Sequence, residues 1–501
     1  MSVKNDHPAG PAGMSLDRLE ALLQLVSGVG VLTVGDVMVD RFVYGDVNRV
    51  SAEAPIPIMA RTHEIAILGG CGNVARNVVG LGGAAVLIGV VGSDTSADEA
   101  GRLVLEAGGI EDRLVRDPGR PTTLKTRFVS SGQQLLRVDV EATNPVEGEI
   151  EASIVRAIKA AAPGVKAIMV SDYGKGVVTP AVSEACLAAA RELGAVIVVD
   201  SKARGFGQYG PVDVVKPNAV ELSRATDLPT DTDAQIELAL AKALSTSEAR
   251  AILVTRASRG MSLAVRGQGV RHFSRPPPEL FDTSGAGDTA LAALGLALGA
   301  GADIDQAVEL ALIAASVVVE KAGTATANPE EIIDAQTALR ATPLESKIVS
   351  AGRMTAEARR WRARGLRVGF TNGCFDLLHP GHVAYLAQAR TWCDRLIVGL
   401  NSDRSVAAGK GPGRPVNGLD SRARVLAALA SVDLVVAFDD DTPLALIEAC
   451  RPDLLIKGGD YELDGVVGRE QVLGWGGEVR LASFMDGHST TGTLRRLQSR
   501  G

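Results

Sequence analysis

At 501 residues the chain is too long for a single hydrophobic core, so two or more domains are expected. Its 46% apolar and 22% charged residues read as soluble and globular, and a net charge of −7 without any basic run argues against a nucleic-acid partner. No apolar run reaches spanning length, so no membrane partner is expected, and five scattered cysteines without C-x-x-C spacing indicate reduced thiols in a cytoplasmic protein rather than a disulfide frame or zinc site.

Residues 1–20 open with M-S-V-K-N-D-H-P-A-G-P-A-G, polar and rich in Pro and Gly, and are expected to form a disordered tail. Residues 21–335 form the first expected domain. There G-V-L-T-V-G-D, A-A-V-L-I-G-V-V-G, V-K-A-I-M-V-S-D, G-A-V-I-V-V-D, V-D-V-V-K-P-N and A-I-L-V-T-R are strand-sized aliphatic runs separated by helix-period sequence. Such runs indicate a parallel or mixed sheet covered on both faces. Arg41 to Ile65 and Pro121 to Val140 instead alternate polar and apolar residues, which predicts a half-exposed antiparallel lid. Residues 336–364 are charged and helical, a connector and entry helix. Residues 365–501 carry a second series: L-R-V-G-F-T-N, R-L-I-V-G-L-N-S-D, V-D-L-V-V-A-F, D-L-L-I-K-G-G-D and E-V-R-L-A-S-F. Five short strands with helices between them predict a doubly wound sheet that binds ligands at its carboxyl ends.

Two glycine-containing turns run into apolar helices and place backbone N–H groups where an anion would lie. The first, D-T-S-G-A-G-D-T, spans Asp282 to Thr289. Gly285, Ala286 and Gly287 leave N–H groups open to a phosphoryl group in flight, and Asp288 stands beside them in the first helical turn. A carboxylate there can take the proton of an attacking hydroxyl; a plain helix cap is the alternative. G-D-V-M-V-D sets Asp36 and Asp40 after the first strand, G-G-C-G-N makes a second glycine turn, and K-P-N-A-V-E places Glu221 where it could order the water shell of a cation. Lys125, Arg127 and Arg137 lie among the alternating lid residues, as a clamp for a distal phosphate or as a solvated strand face.

In this order the segments resemble the ribokinase-like PfkB carbohydrate kinases, over roughly Leu32 to Pro329. The resemblance implies a three-layer α/β fold with a small β lid, Asp288 as catalytic base, and Gly285, Ala286 and Gly287 as the anion hole. It further implies that Asn218, Ala219, Val220 and Glu221 lie beside ATP and Mg2+, with the metal reached from Glu221 through water. Asp36, Asp40, Gly69, Gly70 and Asn73 would line the sugar site, joined by the basic lid residues. Cys71-Gly72 stands where relatives often carry two alanines, a small-for-small departure.

The second turn, N-G-C-F-D-L-L-H-P-G-H, spans Asn372 to His382. His379 and His382, three apart at a helix start, share one face and can grip a phosphate; an H-x-x-H pair can also hold a metal, but no third ligand stands at suitable spacing. This segment is similar to the H-x-G-H, cytidylyltransferase-like nucleotidyltransferases, over roughly Arg367 to Leu497. That resemblance implies a small Rossmann-like sheet with Asn372, Gly373, Phe375, Asn401, Asp403, Lys410, Arg414, Arg422, Lys457, Ser489, Thr490 and Thr491 around the nucleotide and acceptor phosphate. A sugar-phosphate nucleophile is already ionised at neutral pH, so this half needs positioning and charge rather than a base.

A PfkB-type kinase followed by an H-x-G-H transferase resembles the bifunctional heptose 7-phosphate kinase and heptose 1-phosphate adenylyltransferase family of lipopolysaccharide core synthesis. The shared segments include G-D-V-M-V-D-R, S-A-E-A-P-I-P and K-G-G-D-Y. The family implies ATP as co-substrate in both halves, Mg2+ and a homodimer. Motif chemistry alone leaves open another phosphosugar, CTP in the second half, or a non-catalytic nucleotide-sensing protein.

Overall fold

A computed structural model describes residues 14–160, 164–276, 283–321, 323–340, 345–411, 413–458 and 465–482. The chain divides into two compact units, Met1–Ile333 and Asp334–Gly501. Among the described residues no helix is long and apolar enough to cross a membrane.

In the first unit the strands in chain order are β1 (Gly30–Gly35), β2 (Val37–Val50), β3 (Pro57–Gly70), β4 (Ala84–Val91), β5 (Ile110–Asp112), β6 (Val115–Arg116), β7 (Thr123–Ser130) and β8 (Gln133–Val140). They continue as β9 (Val165–Asp172), β10 (Val196–Ser201), β11 (Val214–Val215), β12 (Ala251–Thr255), β13 (Met261–Val265) and β14 (Val270–Phe273). The main sheet runs β14-β13-β12-β11-β10-β9-β1-β4-β5, with β6 alongside β4. It is parallel from β5 to β12 and antiparallel at β12-β13-β14. The aliphatic runs of the sequence form its centre: Val31, Leu32 and Val34 of β1 and Ala167, Ile168 and Met169 of β9 are fully buried. β13 and β14 were not distinguished in the sequence because their alternation is short and mixed.

The expected lid is a separate sheet of order β3-β2-β7-β8. β2 starts at Val37, directly after β1, so lid and main sheet share one continuous run of chain. Register shifts interrupt β2/β3 between Tyr44 and Gly45 and again between Val47 and Arg49, and β7/β8 between Phe128 and Val129; Tyr44 and Val129 are paired across β2/β7.

At the amino end one expectation is corrected. Residues 1–13 lie outside the described residues, but residues 14–20 are not a tail. Met14 is buried and its N–H donates to Glu309, and the Ser15 hydroxyl caps the helix Leu16–Val26, which buries Leu19, Leu22, Leu23 and Val26.

The second unit holds β15 (Ile348–Val349), β16 (Val368–Gly373), β17 (Arg395–Asn401), β18 (Leu434–Phe438), β19 (Leu454–Gly458) and β20 (Glu478–Ala482), all parallel in the order β15-β18-β17-β16-β19-β20. Chain order reverses beside β16, which opens a crevice at its carboxyl end. The stretch read as connector supplies β15 and the helix Ala351–Ala363, whose Met354, Ala358 and Trp361 join the core of this unit.

Candidate active sites

In the first unit the helix Ala286–Gly299 is buried along almost its whole length and packs on β9 and β10. Its N-cap, Gly285, has φ +82, and an added Cβ would lie 2.9 Å from Thr324 and 3.0 Å from Asn73, so the turn requires glycine. Gly285, Ala286 and Gly287 therefore open the helix with Asp288 immediately after them. Asp288 is 4% exposed. Its Oδ2 accepts from Asn73 Nδ2 at 2.8 Å and its Oδ1 from the Tyr173 hydroxyl at 2.8 Å. Burial pushes its pKa up to about 6, against the Asn73 and Tyr173 hydrogen bonds; the Asp200 charge adds to the rise and Lys216 opposes it. The group is thus poised to be ionised near neutrality and to take a proton. The Lys216–Asp200 pair, 2.9 Å apart, lies alongside: a Cβ on Gly287 would be 3.7 Å from Lys216 Nζ.

Asp36 occupies a different position from a simple sugar contact. It is 1% exposed; Oδ2 accepts from the N–H groups of Tyr173 at 2.7 Å and Lys175 at 3.0 Å, and Oδ1 from Val177 at 3.3 Å. It holds the loop after β9, and burial pushes its pKa up to about 6. Asp40 is buried and paired with Arg127 at 2.5 Å. Gly69 lies so close that a Cβ would sit 2.2 Å from Asp40 Oδ2, and one on Gly70, φ +55, would sit 2.4 Å from the Asp36 carbonyl. Asp40 pairs with Lys125, Lys125 with Asp139, and Arg127 with Arg137, so the three basic residues share one lid face. Lys125 Nζ stands 5.8 Å from the Tyr173 ring centre, which turns this face towards Asp288. Arg137 bonds Asp139 at 3.0 Å and stays half exposed.

Asn218 and Glu221 form a reciprocal cap on the helix Ala219–Thr226: Glu221 N–H donates to Asn218 Oδ1 at 2.9 Å and Asn218 N–H to Glu221 Oε2 at 2.7 Å. Val220 is exposed and Ala219 half-buried. Glu221 Oε1 faces Lys202 Nζ at 3.2 Å. Among the described residues no three His, Cys, Asp or Glu side chains converge as a metal-binding set.

In the second unit the loop after β16 reaches the helix Pro380–Thr391, with His379 as N-cap. The His379 and His382 rings stack at 3.9 Å, and Phe375, in the left-handed region at φ +43, lies 5.3 Å from His382. Burial, and then the neighbouring His379, push the His382 pKa down to about 4, so this ring is neutral at physiological pH. Its Nδ1 is buried without a hydrogen-bond partner among the described residues, an orphaned atom that a ligand group would satisfy. Lys457 Nζ donates to Asn372 Oδ1, and Gly373 ends β16. Asn401 Nδ2 donates to Ser405 at 3.0 Å. Lys410 is exposed at the end of the helix Asp403–Lys410. Arg414 pairs with Asp376, whose other oxygen accepts from Val416 at 2.6 Å and Asn417 at 3.2 Å.

Arg422 departs from the expected phosphate contact. Its side chain is 0% exposed and donates to the carbonyls of Asn417, Cys374 and Asn401 and to Asp403 Oδ1 at 2.6–2.9 Å. It ties together the loops that carry the site rather than facing into it, because a guanidinium so satisfied is committed to the protein. Ser489, Thr490 and Thr491 lie outside the described residues, as do Asp282 and the Asp460-Tyr461 end of K-G-G-D-Y. Sequence reasoning did not single out Tyr173, Asp200, Lys216 or Asp376. The D-Y-G-K-G turn at the end of β9 was the available signal for the first of these.

Comparison with known proteins divides the chain at the same place. Residues 31–331 match the model of the pfkB family of carbohydrate kinases, and residues 370–486 match the cytidylyltransferase-like model. The Bifunctional protein HldE of Hyphomonas neptunium is 47% identical over 483 residues, covering 96% of this chain and 99% of that protein. Its namesake from Caulobacter vibrioides is 48% identical over 484 residues, covering 96% and 100%. Among solved structures, the phosphofructokinase-2 of Escherichia coli in complex with substrates and products superposes with a TM-score of 0.52 at 20% identity, covering 63% of this chain and all of that one. That likeness establishes the ribokinase-like fold of the first unit; the cytidylyltransferase-like match accounts for the Rossmann-like second. The chain is an enzyme with a carbohydrate kinase half and a nucleotidyltransferase half, and it belongs to the family of bifunctional HldE proteins.

Proposed function

We propose that the first unit transfers the γ-phosphoryl group of ATP to the anomeric hydroxyl of D-glycero-β-D-manno-heptose 7-phosphate. The second would then join heptose 1-phosphate to AMP from ATP, giving ADP-heptose and pyrophosphate for lipopolysaccharide core synthesis. Asp288 takes the sugar hydroxyl proton, and the Gly285–Gly287 turn receives charge on the phosphoryl oxygens. The basic lid face of Lys125, Arg127 and Arg137 takes the 7-phosphate. Asp40, Gly69 and Asn73 border the sugar, and Asp36 holds the loop that faces it. Asn218 and Glu221 border ATP. Mg2+, when bound, neutralises charge on the phosphates, with Glu221 reaching its water shell.

In the second unit His379 and His382 grip the α-phosphate, with Asn372, Gly373, Phe375, Lys410, Arg414 and Lys457 around the nucleotide. Arg422, Asn401 and Asp403 support them from behind. The 1,7-bisphosphate must lose its 7-phosphate elsewhere before the second step, so the intermediate leaves the chain. Free cysteines fit a reducing cytoplasm. A homodimer is supported by Leu136, Val138 and Val140, exposed on the lid face opposite the basic one.

What carries this reading is the contrast between two anion-binding turns in one chain. One carries a buried carboxylate at the reaction point; the other carries a stacked imidazole pair, of which His382 is neutral, and the acid of its own turn, Asp376, is committed to Arg414. The test separates the halves. Asp288→Asn abolishes phosphorylation of heptose 7-phosphate and spares adenylyl transfer to heptose 1-phosphate, and His382→Ala does the reverse. Product masses from a panel of phosphosugars and all four nucleotides fix the substrates. Loss of both activities from either folded variant refutes the two-site assignment.

A further inference from the structure

Tyr173 stands where neither the glycine turn nor the sugar-site motifs placed a functional residue, and its setting is built from several sides. Asp36 accepts the N–H groups of Tyr173, Lys175 and Val177, while Asp172 Oδ1 accepts that of Gly174 at 2.9 Å. Gly176, at φ +86, presses so closely that a Cβ would lie 2.1 Å from the Asn144 carbonyl. The D-Y-G-K-G turn is therefore held in one conformation, and its hydroxyl reaches Asp288 Oδ1 at 2.8 Å. Lys202 Nζ lies 4.5 Å from the Tyr173 ring centre, with Lys125 Nζ at 5.8 Å.

We propose that Tyr173 is a positioning residue of the kinase: its fixed hydroxyl, with Asn73, aims the Asp288 carboxylate and holds it in the ionised form that can act as a base. The proposal rests on Asp288 being that base. The chemistry runs in one direction. An O–H donated to a carboxylate stabilises the charged form, and a buried carboxylate needs that help because burial favours the neutral one. The phenol remains a donor, since burial and then the charges of Asp288 and Asp200 push its pKa well above the ordinary value. Other groups facing Asp288 are Asn73 and Cys71 from the helix after β3, Asp200 from β10 and Lys216 after β11; Asp40 also faces Tyr173. Asn73 and Lys216 favour the carboxylate, and Asp200 disfavours it. Removing the Tyr173 hydroxyl leaves Asn73 as the one side-chain hydrogen bond to Asp288 among the described residues.

The experiment follows kcat/KM for phosphorylation of heptose 7-phosphate by the full-length enzyme from pH 5 to 9, where the acid limb reports the free enzyme's base. Wild type falls off below about 6, the value to which Asp288 is raised. Tyr173→Phe moves that limb up by about one unit and also lowers the plateau above it, since the carboxylate loses one of its two orienting donors. Replacing Tyr173 with 3-fluorotyrosine, a stronger donor, moves the limb down, a direction that damage to the fold would not produce. A Tyr173→Phe profile that overlays wild type, or that drops by one constant factor at every pH, overturns the proposal, as does a fluorotyrosine limb that rises. Asp288→Asn separates the two levels of inference. If it keeps kinase activity, the base assignment itself fails; if it is inactive while the tyrosine variants leave the limb unmoved, only the role of Tyr173 fails.

Discussion

Replacing Asp288 with Asn should make the first unit more stable as it removes the kinase activity. The carboxyl is raised from 3.8 to about 6. A shift of about two units means that the ionised group costs the folded state roughly 3 kcal/mol at pH 7. Asn is nearly isosteric and uncharged, so that penalty disappears. In exchange, one of the two hydrogen bonds, to Asn73 or to Tyr173, loses its acceptor, a loss of about 1–2 kcal/mol. The net gain is about 1–2 kcal/mol. For a unit of 333 residues the unfolding entropy is about 0.7 kcal/mol per degree, so the first thermal transition rises by about 2 °C. The sign with pH is fixed. A carboxyl whose folded pKa is raised carries its penalty above that pKa and sheds it as pH falls from about 6 towards 3.8, so the advantage closes to near zero around pH 5. Differential scanning calorimetry of both proteins at pH 7.5 and pH 5 measures this, while kinase turnover falls by roughly 10²–10⁴. An Asp288→Asn variant less stable than wild type at pH 7.5, or equally favoured at both pH values, refutes the account of Asp288 as a carboxylate buried at a thermodynamic cost.

Three further outcomes follow from the geometry. Because His382 is held neutral with a pKa of about 4, its ring resonances in the free enzyme should not titrate near pH 6.5 by NMR; a midpoint there that disappears from the spectrum of His382→Ala would show that the free enzyme carries an imidazolium. Arg422→Met strips a donor from three carbonyls and Asp403, and should destabilise the second unit by about 3 kcal/mol while the first transition stays in place. An unchanged second transition with a raised KM for ATP would instead restore Arg422 to the phosphate site. Gly69→Ala drives a methyl to within 2.2 Å of Asp40 Oδ2 and should raise KM for the phosphosugar about tenfold or more, with adenylyl transfer untouched; kinetics on both halves decide it.

Local pattern carried most of the fold. Aliphatic runs located β1, β4, β9, β10 and β12, and the lid was found because alternation marks a sheet with one covered face. Both glycine turns were legible too, since a glycine turn ahead of an apolar helix is a local signal. What remained hidden was partnership across the chain. Arg422 reads as any basic residue near a nucleotide turn, and only the meeting of Cys374, Asn401 and Asn417 around it makes it internal. Asp36 and Asp40 look alike on paper, four residues apart, yet one clasps a backbone loop and the other a guanidinium. Tyr173 was hidden for the same reason: its partner lies 115 residues further along. Sequence spacing shows which face a side chain shares, but not which distant element comes to meet it.

Two of the three register shifts in the lid fall on one row, because Tyr44 and Val129, which border them, are neighbours across β2/β7; the third, between Val47 and Arg49, lies further out. Such a row would act as a crease, since a bulge bends the strand that carries it. The half of the flap nearest Asp288 is held by Asp36, Asp40 and the two glycines pressed against them. Bending is left to the outer half, where Val50 and Ile56 are exposed. Opening the entrance to a bulky sugar would then tilt the awning without disturbing the posts that hold the chemistry.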